Sequence, residues 1–210
     1  MQAASLYYHV PSREALDQLI ADSIATAVID AARGCTALAE FGDAPMPRTK
    51  EGFAMPALAM AVIAAELIYF VVTTLFDLHP LNNVRAATPA EKRQEIAMNL
   101  PVMAAPIVLL AVGTAVGSPW ADYGAVAVQA VILAGGLLLW WMPYLAGVTM
   151  PWATAGSDVS WRELHERTYT HTVIVLPCIK DRPRPNLEHM ILHSLVLTGL
   201  VLAVVTATAA

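Results

Sequence analysis

Two histidines four residues apart, His189 and His193, open the last apolar stretch of this chain. On a helix that spacing puts both imidazoles on one face. An HxxxH pair can hold a metal ion or a haem iron, or relay protons. It is not the HExxH of zinc peptidases, because Glu188 precedes the first histidine and no acid lies between the two. The same rings could instead bond loop backbone and anchor the helix end. His79, His165 and His171, together with Asp77, extend the candidate set for metal binding or proton relay. Glu66 stands in the middle of another apolar stretch. An unpaired acidic side chain in hydrocarbon costs roughly 2.5–3.5 kcal/mol, so its default reading is functional. The alternative is a neutral Glu66 hydrogen-bonded to another helix for packing. Gln129, inside a third stretch, is a candidate partner. Glu66, Gln129 and His193 thus form a candidate intramembrane polar site, with Glu66 paired to His193 or lying just below it. That arrangement requires the first and last apolar helices to be neighbours.

The elements that must position these residues are apolar and long. Of 210 residues, 57% are hydrophobic and only 14% charged, against roughly 25% charged in soluble domains. Mean hydropathy is +0.56. Four stretches, about 55–76, 100–116, 123–145 and 187–207, hold no Lys or Arg. Each is long enough for a spanning helix, the second only just. Backbone polar groups in lipid must pair internally, so all four are expected to be helices. Thr88-Pro89-Ala90-Glu91 has the pattern of a capping box. It predicts a short amphipathic lead-in over 89–98, followed by a kinked or irregular entry at Pro101 and Pro106. Trp120 and Tyr123 at one end of the third stretch, and Trp140, Trp141 and Tyr144 at the other, suit two interfacial belts. Asn186 is placed to cap the last helix.

Four spans put the loops 77–99 and 147–186 on the same side. Those loops hold Arg85, Lys92, Arg93, Arg162, Arg167, Lys180, Arg182 and Arg184, eight of the twelve basic residues. The positive-inside rule makes both loops cytoplasmic. Arg182 and Arg184, in a rigid Arg-Pro-Arg-Pro run, suit anionic lipid headgroups. Membrane lipids are the expected partners, and a homo-oligomer is compatible. A net charge of −5 carries no nucleic-acid signature. The two cysteines, Cys35 and Cys178, form no CxxC, so neither a disulfide framework nor a structural zinc site is indicated. No secretory signal is visible at the start.

Residues 12–33 read as one amphipathic helix with Ser12 as N-cap and Gly34 as its stop. Residues 34–53 read as a linker. The run Ser5 to Ile24, through Leu6, Tyr7, His9, Arg13, Glu14 and Leu16, resembles the end of the helix-turn-helix region of TetR-type transcriptional regulators. The resemblance begins after most of the recognition helix would have ended. It therefore implies a truncated remnant over 1–33 with no functional DNA-binding residues, and DNA is an unlikely partner. A membrane-tethered regulator is the alternative that this resemblance raises. Residues 54–210, with Pro185, Asn186, His189 and His193 before a final helix, resemble small uncharacterised bacterial four-helix membrane proteins. That likeness implies an architecture and a bacterial cytoplasmic membrane, and no reaction.

The expectation is an all-α polytopic membrane protein: four transmembrane helices behind a short soluble helical segment. Its polar, histidine-bearing site at the cytoplasmic face would bind or move a small ion, a proton or a lipid headgroup. The rival readings are the truncated regulator and a metal- or haem-binding redox protein. An enzyme is the less favoured class.

Overall fold

The computed structural model describes residues 50–150 and 159–209. The expected helix over 12–33, the TetR-like stretch 5–24 and most of the linker over 34–53 lie outside the described residues. Among the described residues the secondary structure is helical, without strands. Helix α1 spans Lys50–Leu75, so the last four residues of the expected linker are already helical. Helix α2 spans Pro89–Val116 and α3 Pro119–Leu145. A short α4 covers Trp161–Tyr169 and α5 covers Leu187–Thr208. Helices α1, α2, α3 and α5 are each long and apolar enough to cross a membrane.

The lead-in expected as a separate element before the second span is continuous with it, and the backbone stays helical through Pro101 and Pro106. Thr88 and Glu91 form the capping box: Glu91 N–H donates to Thr88 Oγ1 at 3.2 Å, and Thr88 N–H donates to Glu91 Oε2 at 2.7 Å. Pro101 and Pro106 lie inside α2. At 1.5 Å per residue its 28 residues extend about 42 Å, beyond the roughly 30 Å of a hydrocarbon core. Its charged residues, Glu91, Lys92, Arg93 and Glu95, all fall in the first two turns. The excess length therefore belongs to the charged end.

The four long helices run up and down in a ring. Helix α1 packs against α2 and α5, and α3 packs against the same two. Helices α1 and α3 are thus diagonal partners across the bundle axis, and α1 and α5 are neighbours as the sequence reading required. Two buried asparagines tie the loops at one end. Asn82 Nδ2 donates to the carbonyls of Thr73 (2.6 Å) and Phe76 (2.8 Å), closing the end of α1. Its Oδ1 accepts from Leu78 N–H at 2.6 Å. Asn186 caps α5 as expected, its Oδ1 accepting from His189 N–H at 3.2 Å. Its Nδ2 reaches Leu81 O and Thr172 Oγ1. Val173 joins the two loops, donating to Pro80 O and accepting from Leu187 N–H.

Helix α4 lies at this loop-bearing end. Ser160 caps it, and Arg167 pairs with Glu91 at 2.5 Å, linking it to the start of α2. Arg162 donates to Asp181 O at 2.8 Å.

Candidate functional site

The interior polar residues form two layers. The deeper layer is centred on Glu66 and Gln129, both wholly buried. They come from the diagonal helices α1 and α3, so only long side chains can meet on the axis. Gln129 Nε2 donates to Glu66 Oε2 at 2.5 Å and to Val196 O at 3.3 Å. Gly199 of α5 makes this meeting sterically possible. A Cβ there would lie 2.9 Å from Gln129 Nε2, 3.0 Å from Ile63 Cγ1 and 3.4 Å from Glu66 Oε2. Two oxygens of this pair, Glu66 Oε1 and Gln129 Oε1, are buried with no hydrogen-bond partner. Buried polar atoms in that state are rare and need an explanation.

The shallower layer, toward the loops, is aromatic and histidine-rich. His193 sits six residues before Gly199 on α5, about 9 Å along the helix. It therefore lies above Glu66 rather than paired with it. Its bond is instead with Trp141, whose Nε1–H donates to His193 Nδ1 at 3.0 Å. An indole nitrogen only donates, so Nδ1 accepts and the ring proton resides on Nε2. That Nε2 rests against Gly136 of α3, where a Cβ would lie 2.6 Å away. His189 faces the other way: its Nδ1 is 2.7 Å from Asn186 Oδ1. Because Asn186 Oδ1 also accepts a backbone N–H, it is the oxygen, and His189 Nδ1 is the donor.

Trp140 packs among four rings. It stacks on His189 with centroids 3.4 Å apart, and meets Trp161, His165 and Tyr169 at 5.7, 5.5 and 4.9 Å. Trp161, His165 and Tyr169 recur every four residues along α4, on one face. A wide π turn over Leu137–Trp141 carries both tryptophans, which are half-buried, onto the histidines; such turns often occur at functional sites. The expected belt at this end is therefore corrected. Tyr144 is buried, its hydroxyl donating to Pro177 O at 2.9 Å, and Trp140 and Trp141 pack on histidines. Trp120 and Tyr123 at the opposite end are exposed, as a belt needs.

His165 Nε2 is 3.1 Å from Arg184 O and so donates to it. Burial lowers its pKa to about 4, against the opposing pull of that backbone bond. The Tyr169 hydroxyl is pushed well above its ordinary range, first by burial and then by the carboxyls of Glu95, Glu188 and Glu91.

Of the candidates for metal binding or proton relay, His165, His189 and His193 come together through Trp140 and through each other; the His189 and His193 rings are 6.0 Å apart. His79 and His171 are exposed and take no part in this ring cluster. Asp77 pairs with Arg85 at 2.5 Å. Among the described residues no three His, Cys, Asp or Glu side chains converge as a metal site would need. Arg182 and Arg184 are engaged with backbone. Arg182 donates to the carbonyls of Leu145 and Tyr144 at the end of α3, and Arg184 donates to Leu176 O at 3.1 Å.

Against known protein families, curated proteins and solved structures, the chain matches none. What its fold and interior define is a class: an all-helical protein whose four long helices could cross a membrane, with a buried carboxyl–amide pair on the bundle axis beneath a histidine–tryptophan layer.

Proposed function

We propose that this chain is a multi-pass protein of the bacterial cytoplasmic membrane that binds an exchangeable proton at the Glu66–Gln129 pair. The observation that carries this reading is that two fully buried side chains already bonded to each other each keep an acceptor oxygen without a donor, Glu66 Oε1 and Gln129 Oε1. A proton on Glu66 turns an orphaned acceptor into a donor, and the amide oxygen of the adjoining Gln129 is an acceptor without a donor. That proton also removes the cost of a charge at this depth. Among the described residues this pair offers two oxygens without a partner, Glu66 Oε1 and Gln129 Oε1, against the six or more that a calcium or magnesium ion takes. A bare proton suits the site better than a metal cation. The excess of Lys and Arg in the loops 77–99 and 147–186 supports a cytoplasmic side for them, and on that reading the histidine layer stands between Glu66 and the cytoplasm.

Labelling with dicyclohexylcarbodiimide tests the reading, because a protonated carboxyl in apolar surroundings gives its proton to this apolar reagent and adds to its central carbon, and the O-acylisourea rearranges to a stable N-acylurea. Mass spectrometry of the membrane-embedded protein should find the adduct on Glu66, and none in Glu66→Gln. A folded wild-type protein with Glu66 unmodified would refute the reading.

A further inference from the structure

Beyond Glu66, one more wholly buried carboxyl is found among the described residues, Asp122, at the other end of the bundle from the loops. Asp122 sits in the first turn of α3 and is fully buried. Its Oδ1 is pressed against Gly113 of α2, where there is no space for a Cβ. Asp122, Gln129 and Gly136 are spaced by seven residues along α3. Heptad spacing keeps residues on nearly one stripe of a helix, at intervals of about 10.5 Å. The stripe passes from Asp122 at the far end, through Gln129 bonded to Glu66, to Gly136 against His193. It touches a group able to carry a proton at each of three levels.

The two intervals between these levels differ. Between Glu66 and the loops lie His193, Trp141 and His189. Between Glu66 and Asp122 lies an apolar layer, Ala59, Ile63, Leu110 and Ala125, each completely buried. Ile63 is three residues before Glu66 on α1 and meets Gly199. A proton cannot jump about 10 Å through such a layer without water. The apolar layer is therefore a seal, and transfer requires it to admit water transiently.

We propose that the bundle is a sealed transmembrane proton path. Asp122 and His193 are the exchange groups on either side of Glu66, and the layer around Ile63 is the gate. The proposal rests on the reading of Glu66 as the proton-binding group. Each transfer is balanced: the proton that leaves one group is taken by the next, and one positive charge crosses the membrane per cycle.

The test is proton uptake into liposomes holding the full chain, driven by a potassium–valinomycin potential and read with a trapped pH dye. Wild type should acidify the lumen faster than empty liposomes. Asp122→Asn should lower that flux at least tenfold while carbodiimide labelling of Glu66 persists. Asp122→Glu should restore most of it, which a merely structural Asp122 would not allow. Ile63→Ala, which thins the seal without touching a polar group, should raise the flux severalfold. Wild-type flux no greater than that of empty liposomes, with Glu66 still labelled, overturns the path and leaves the proton-binding reading standing. Equal flux in wild type and Asp122→Asn overturns the role of Asp122, and unchanged flux in Ile63→Ala overturns the gate. Loss of labelling at Glu66 in folded wild type removes the underlying reading itself.

Discussion

Acidification should reverse the stability ranking of the wild-type protein and a His165→Phe variant. His165 is buried among Trp140, Trp161 and Tyr169, and its pKa is lowered from 6.5 to about 4. The unfolded chain takes up a proton here below pH 6.5, and the folded protein only below about 4. The stabilising contribution is therefore complete above pH 6.5, declines between 6.5 and 4, and is flat below that. A gap of 2.5 pKa units at 1.36 kcal/mol each is about 3 kcal/mol. Phenylalanine keeps a ring in the cluster but cannot titrate. It also loses the 3.1 Å bond to Arg184 O, a constant cost of about 1 kcal/mol. Wild type should thus be the more stable by about 1 kcal/mol at neutral pH and the less stable by about 2 kcal/mol at pH 4, with the curves crossing at about pH 6. The assay is unfolding in detergent, followed through the fluorescence of Trp140 and Trp161, which sit against the mutated ring. Stability curves that stay parallel from pH 7.5 to 4 would refute the assignment of a neutral, buried His165.

Three further outcomes follow from the same geometry. Gly199→Ala should leave overall stability within about 1 kcal/mol, because the helix-propensity gain offsets part of the crowding; it should nonetheless abolish carbodiimide labelling of Glu66 or strongly change its rate, since the new Cβ meets Gln129 Nε2 at 2.9 Å. Asn82→Ala removes three hydrogen bonds of a buried side chain and should cost about 3 kcal/mol at roughly 1 kcal/mol each, measured by denaturant titration; a loss under about 0.5 kcal/mol would contradict its closing role. In a Cys35→Ser background, Cys178, which is exposed in the loop before α5, should react with a membrane-impermeant maleimide only after lysis, and labelling of intact cells would invert the orientation.

Much of this bundle was legible as pattern. Long uncharged stretches foretold the four helices, and the Thr88–Glu91 and Asn186 caps were readable because capping depends on local spacing. Glu66 and Gln129 could be singled out because polar residues in apolar stretches are costly. Their bond to each other was not visible, since it depends on α1 and α3 facing across the axis with Gly199 between them. The Trp140–Trp141–Tyr144 group was misread as a belt because composition shows that aromatics lie near an end, not which way they turn. The π turn that sets Trp140 and Trp141 against the histidines has no signature in residue type, although the nearby Trp161, His165 and Tyr169 at helical spacing hinted at a facing surface. Asn82 and Asp122 passed unnoticed: a polar residue near a span end looks like ordinary loop until packing buries it.

The central claim is that Glu66 carries a proton on the bundle axis. Infrared spectroscopy of the protein in membranes tests it most directly, through the carbonyl stretch of a protonated carboxylic acid. A protonated Glu66 gives such a band in wild type at neutral pH. It should vanish in Glu66→Gln and move to higher frequency in Gln129→Leu, where the amide partner is gone. Identical spectra for wild type and Glu66→Gln in this region would contradict it.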